Sequence, residues 1–154
     1  MDQREAILVR LLAVSEETAK TVDSSFEGRR NEPDLPGTAK WVVVLDGDEI
    51  AEDADRDGRS PMETPRHIVM TPEVQFRLLA KSEDAGTSLN ALRAALIPAV
   101  LGDTDLLDLS TGRSKIRYRG SVTVTERGKK LDGAISVAFS FHYVLKPEAL
   151  TVTA

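Results

Sequence analysis

The apolar positions along the chain change their period several times, and each change marks a new element. Ile7, Leu8, Leu11, Leu12, Ala19 and Val22 recur at helical spacing and predict one stripe of a helix against a core. Asp2, with Glu5 three residues on, predicts a capping box at its start. Residues 24–40, SSFEGRRNEPDLPGTAK, contain Pro33, Pro36 and two glycines and read as a connecting loop. Trp41 to Leu45 is a continuous apolar run rich in β-branched residues, which predicts a buried strand. A polar stretch at about 46–66 separates it from HIVMTPEV, whose Ile68–Met70 centre predicts a second strand. Connections of that length inside a domain are uncommon and are usually functional or disordered. Residues 73–81, EVQFRLLAK, suit either an extension of that strand or a helical turn.

A second helix is predicted after Thr87 or Ser88 as its cap, with Leu89, Leu92, Leu96 and Val100 as its stripe and Gly102 as its stop. Pro98 removes a hydrogen bond late in it and is expected to kink the last turn. In the C-terminal third the period falls to two. Ile116, Tyr118, Val122 and Val124 share one predicted face, and Lys115, Arg117, Arg119, Thr123 and Thr125 the other, with Gly120 as a candidate bulge. Ile135, Val137, Phe139, Phe141 and Tyr143 then alternate with Ala134, Ser136, Ala138, Ser140 and His142. The intervening ERGKKLDG makes the pair an antiparallel hairpin. The expectation is an α+β fold: a small, mainly antiparallel four-stranded sheet with two helices packed on one face, in the order α-β-β-α-β-β. Ile7, Leu11, Leu92, Leu96, Val137, Phe139 and Phe141 are its predicted core.

Length and composition narrow the function. The 154 residues suit a single domain, 1–154, of a size that buries about 68–70% of its unfolded surface. The absence of cysteine excludes disulfides, thiolate metal sites and thiol catalysis. MDQREAILVRLLAVSEE carries early charges and no small-residue cleavage site, so it does not read as a secretory leader. The longest apolar runs, such as AALIPAVL, fall short of the ~20 residues that a membrane span needs.

Charge is unevenly placed. In residues 46–59, Asp46, Asp48, Glu49, Glu52, Asp53, Asp55 and Asp57 stand against Arg56 and Arg59, a net −5. Residues 113–130 carry seven bases against Glu126, a net +6. Asp53, Asp55, Asp57 and Gly58 are spaced like the start of a calcium-binding hand. The pattern then fails: Thr64 stands where a bidentate glutamate is required, Pro61 has no side-chain oxygen, and the preceding segment reads as a strand. That leaves an acidic loop with at most a loose divalent-ion contact at these three aspartates. His67 and His142 are isolated, and the glycines form no phosphate-binding loop. No catalytic set and no cofactor are expected. Lys115, Arg117 and Arg119 project from one strand face, but no aromatic interleaves with them to stack a base.

Taken in order, several segments resemble the tail-terminator (tail-completion, minor tail) proteins of long-tailed bacteriophages. They are REAILVRLLAV, GRRNEPDLP, a strand running into LDGDE, VMTPEVQFRL, LNALRAALIPAVLGD, IRYRGSVTV and ISVAFSFHYVL, with MTPEV the most telling. The resemblance covers nearly the whole chain. It implies a structural virion protein, assembled in the host cytoplasm, that forms a ring, commonly hexameric, on the head-proximal end of the tail tube. There it would end tube polymerisation and offer a head-joining surface, with tail-tube and head–tail connector proteins as partners. It implies neither enzyme nor cofactor, no membrane, and DNA only passing through the ring. The expected subunit interface joins Asp46, Asp48, Glu49, Asp53, Asp55 and Asp57 of one copy to Lys115, Arg117 and Arg119 of the next. The alternative is an ion- or nucleic-acid-binding module using the acidic loop 46–57 or the basic face 115–119.

Overall fold

Asp2 caps the first helix, α1 (Gln3–Val22), its carboxylate accepting the Glu5 N–H at 2.8 Å. The computed structural model describes residues 1–32, 40–52, 61–62, 64–78, 85–112, 115–124 and 133–147. The reciprocal half of the capping box is not made, because the Glu5 carboxylate turns to Arg30 instead. Ile7, Leu8, Leu11, Val14, Ser15, Thr18 and Ala19 form the buried stripe. Ser15 and Thr18 join it because their hydroxyls donate to the carbonyls of Leu11 and Val14 at 2.7 and 2.8 Å, leaving no orphaned oxygen. Val22, expected in the stripe, is exposed where the helix closes.

α2 (Ala85–Leu101) buries Leu89, Leu92, Leu96 and Val100 as expected. It starts earlier than predicted, so Thr87 and Ser88 lie inside it and do not cap it. Pro98 is accommodated within the helix, and the Gly102 N–H closes its end on the Pro98 carbonyl at 3.0 Å. A third helix, α3 (Thr104–Leu109), was not foreseen. It buries only Leu106, too little to leave a period, and is capped by Asp103, which accepts the Leu106 N–H at 3.0 Å.

Among the described residues the sheet has five strands, not four: β1 (Glu27–Arg30), β2 (Trp41–Ala51), β3 (Arg66–Leu78), β4 (Ile116–Val124) and β5 (Gly133–Leu145). Their spatial order is β1-β2-β3-β5-β4. β1 pairs parallel with β2, and every other pair is antiparallel. The chain order is therefore α-β-β-β-α-α-β-β. β1, EGRR, lies in the stretch read as a loop; as an edge strand it needs no apolar alternation, and parallel pairing to Trp41–Val44 holds it. β3 resolves the ambiguity of residues 73–78 in favour of strand, with Val74, Phe76 and Leu78 buried. The polar span also shrinks, because β2 runs to Ala51 and β3 starts at Arg66. The hairpin loop 125–132 lies outside the described residues.

Two glycine bulges shape the sheet. At Gly47 (φ +66°) the β2–β3 register slips by one between Leu45 and Asp48. A Cβ there would overlap the Thr71 carbonyl oxygen. Pro72, which has no N–H for the ladder, sits opposite this irregularity. At Gly120 (φ +125°) the β4–β5 register slips between Tyr118 and Gly120, as the glycine suggested. The core lies between the helices and one face of the sheet. Ile7, Leu11, Leu92, Leu96, Val137, Phe139 and Phe141 are all fully buried in it, as expected.

Candidate functional site

A polar network fastens the start of α1 to the bulged part of β2. Arg30 donates to both oxygens of Glu5 at 2.5 and 2.8 Å, and to both of Asp46 at 2.7 and 2.9 Å. These bidentate bonds to Arg30 hold the Glu5 and Asp46 carboxyls below their ordinary range. Asn31, at φ +54°, accepts the Asp46 N–H at 2.9 Å. Beside them Arg4 donates to the Gly47 carbonyl at 3.0 Å and lies 3.6 Å from Glu49. The Tyr143 hydroxyl donates to Glu49 at 2.9 Å. Burial first, and the Glu49 carboxylate second, push the Tyr143 phenol above its ordinary value. A second clamp joins α1 to the start of α3: Arg10 reaches Asp103 at 2.7 and 3.0 Å and Asp105 at 3.4 Å.

These networks change the reading of the charged segments. Of the predicted acidic interface, Asp46 and Glu49 are engaged within the chain. Asp48 is exposed. Asp53, Asp55 and Asp57 lie outside the described residues. Among the described residues, no group of three or more His, Cys, Asp or Glu side chains could hold a metal ion. On the basic side, Lys115 donates to the Leu107 carbonyl at 3.2 Å, near the C-terminal end of α3. Arg117 and Arg119 are exposed. Tyr118 is turned to the helix side, where its hydroxyl meets Ser121 at 2.7 Å and Arg93 at 3.2 Å. It therefore offers the two arginines no stacking platform.

Two features escaped sequence reasoning. His67 and His142 line one small cleft with Glu52 and Thr111. The signal was tertiary, since His67 pairs with Val144 and Val69 with His142 on adjacent strands. More consequential is the inversion that follows each bulge. Without the extra residue, Ile50 and Val122 would continue the inward faces set by Val42 and Val44, and by Ile116 and Tyr118. The slipped registers turn both outward, and each is 65% exposed. The predicted inward placement of Val122 is thus corrected, and Ser121 takes the inward position opposite Val137. Ile50 stands beside Asp48, and Val122 beside Arg119 and its bulge.

No family model matches the chain, and a search of curated proteins finds no match to it. Among the described residues no helix is long and apolar enough to cross a membrane.

Proposed function

We propose that this protein is a structural assembly component: a tail-terminator-like subunit that forms a ring on the head-proximal end of a phage tail tube. In that role it ends tube polymerisation and presents the surface to which the head joins. The observation that carries this reading is the outward display of charge and aliphatic surface at two separate corners of the sheet. Asp48 and Ile50 form one of these corners, on the β2 margin, and Arg119 and Val122 the other, on the β4 margin. We read two unlike, complementary patches on one subunit as suited to head-to-tail association, which makes a ring when the rotation closes. The segment order resembling tail terminators supplies the biological setting.

The clamps around Arg30 and Arg10 fit the same role. They tie α1 to β1, β2 and α3 through side chains far apart in sequence, giving a rigid body whose faces keep their relative positions. The remaining partners are the tail-tube protein on one side of the ring and a head–tail connector on the other. The test is genetic. A phage strain lacking this protein should make tails of uncontrolled length that do not join heads, scored by electron microscopy and by infectious titre. Normal-length, infectious particles from that strain would overturn the reading.

A further inference from the structure

We propose that the corner formed by Asp48 and Ile50 of one copy binds the corner formed by Arg119 and Val122 of the next, the two glycine bulges having built the two halves of one interface. The inference names the subunit contact within the ring reading and rests on that reading for its setting only.

The occupant follows from geometry and charge. Ile50 pairs with Val69 on β3, which pairs with His142 on β5, so Ile50 lies level with His142 on the outer face. Val122 pairs with Ser136, six residues along β5 and on the same face. β2 and β4 are three strand steps apart. At about 4.8 Å per step and about 3.3 Å per residue, Ile50 and Val122 stand roughly 25 Å apart, and Asp48 and Arg119, nearly level across the sheet, roughly 15 Å. They cannot meet within one chain. A two-fold contact of either corner with itself would set Asp48 near Asp48 or Arg119 near Arg119, which repels. The remaining arrangement is acidic corner to basic corner between different copies.

The apolar residues complete the match. Ile50 and Val122 are exposed only because an extra residue precedes each in its strand. Neither bulge is needed to bury more core, since each removes an aliphatic side chain from it. Among the described residues, β2 has no strand partner on the β1 side beyond Val44, where only Asn31 reaches the Asp46 N–H, and β4 has none beyond β5. Both corners therefore lie on sheet margins among the described residues, where a neighbour can approach. Charged rims around aliphatic centres are the usual anatomy of a subunit contact.

The experiment exploits the head-to-tail logic. The mass of the purified chain is measured by sedimentation equilibrium for the wild type, Ile50→Asp, Val122→Asp, and an equal mixture of the two variants. The wild type should form a closed oligomer larger than a dimer, and each variant alone should be monomeric. The mixture should form a dimer and stop there, because each variant keeps one intact corner. Both side chains point outward, so melting temperatures should stay near that of the wild type. If either aspartate variant misfolds, a charge swap answers the same question. Asp48→Lys or Arg119→Glu should each weaken association about fivefold, and the double variant should recover it to within about twofold.

A wild type that is monomeric or stops at a dimer, a single variant that keeps the wild-type mass, or a mixture of folded variants that stays monomeric overturns the proposal. The two readings fail separately. Association through these corners in a protein whose loss leaves tails normal would remove the tail role and keep the interface. Defective tails, with rings that survive both substitutions, would do the reverse.

Discussion

Arg30 carries more of the fold's polar organisation than any other described side chain. It is 25% exposed and holds two carboxylates, Glu5 and Asp46, from two different elements. Glu5 is 41% exposed, so solvent screens part of the interaction. Arg30→Met should therefore cost only about 1–2 kcal/mol at neutral pH, more than an isolated surface pair because the bonds are bidentate and shared. The sign of its pH dependence follows from the lowered carboxyls. The unfolded chain takes up protons on Glu5 and Asp46 at higher pH than the folded one, so their contribution is present above the unfolded carboxylate range, near 4. It is lost as pH falls through that range and below the folded values. Urea unfolding of wild type and Arg30→Met at pH 7, 4 and 2.5 should show the gap closing toward acid. A gap of constant size would mean that Arg30 acts by packing alone.

At the scale of elements the two bulges separate what the sequence discloses from what it hides. β5 and the stripe of α2 were legible because each has one face in the core and an uninterrupted period. β1 was not, since EGRR is polar and exists as a strand only through its neighbour. Gly120 advertised a bulge, yet the face of Val122 depends on counting the extra residue, and strand alternation read straight through it points the wrong way. Gly47 gave less warning, because LDGD also looks like the end of a strand. The acidic segment misled for a related reason: a carboxylate's partner is set by tertiary approach, and Arg4 and Arg30 lie far from Glu49 and Asp46 along the chain. The glycines themselves should differ. Gly47 combines a left-handed backbone with backbone contact at Thr71, whereas Gly120 has open space around a missing Cβ. Gly47→Ala should cost about 2–4 kcal/mol, and Gly120→Ala about 1–3 from backbone strain alone. Equal losses in chemical denaturation would show that the close approach at Thr71 relaxes freely.

For the whole molecule, the decisive property is the separation of its charge. A formal net charge of −5 would by itself keep copies apart. The sequence instead holds −5 within residues 46–59 and +6 within 113–130, and the described parts of those segments lie along β2 and β4, three strand steps apart across the sheet. Attraction between such corners is screened as the Debye length falls from about 10 Å at 0.1 M salt to about 3 Å at 1 M. The exposed pair of Asp48 with Arg119, worth about 0–1 kcal/mol, should make self-association up to about fivefold weaker when salt rises from about 0.05 to 0.5 M. Ile50 and Val122 set what remains, since apolar contact does not weaken with salt. The dissociation constant of the wild type, followed by sedimentation across that range, should therefore rise and then level off. Arg119→Glu should start weaker and show a flatter dependence, having lost the attractive component. Association that is indifferent to salt, or tightens with it, would assign the contact to apolar surface alone and remove charge as the guide to its register.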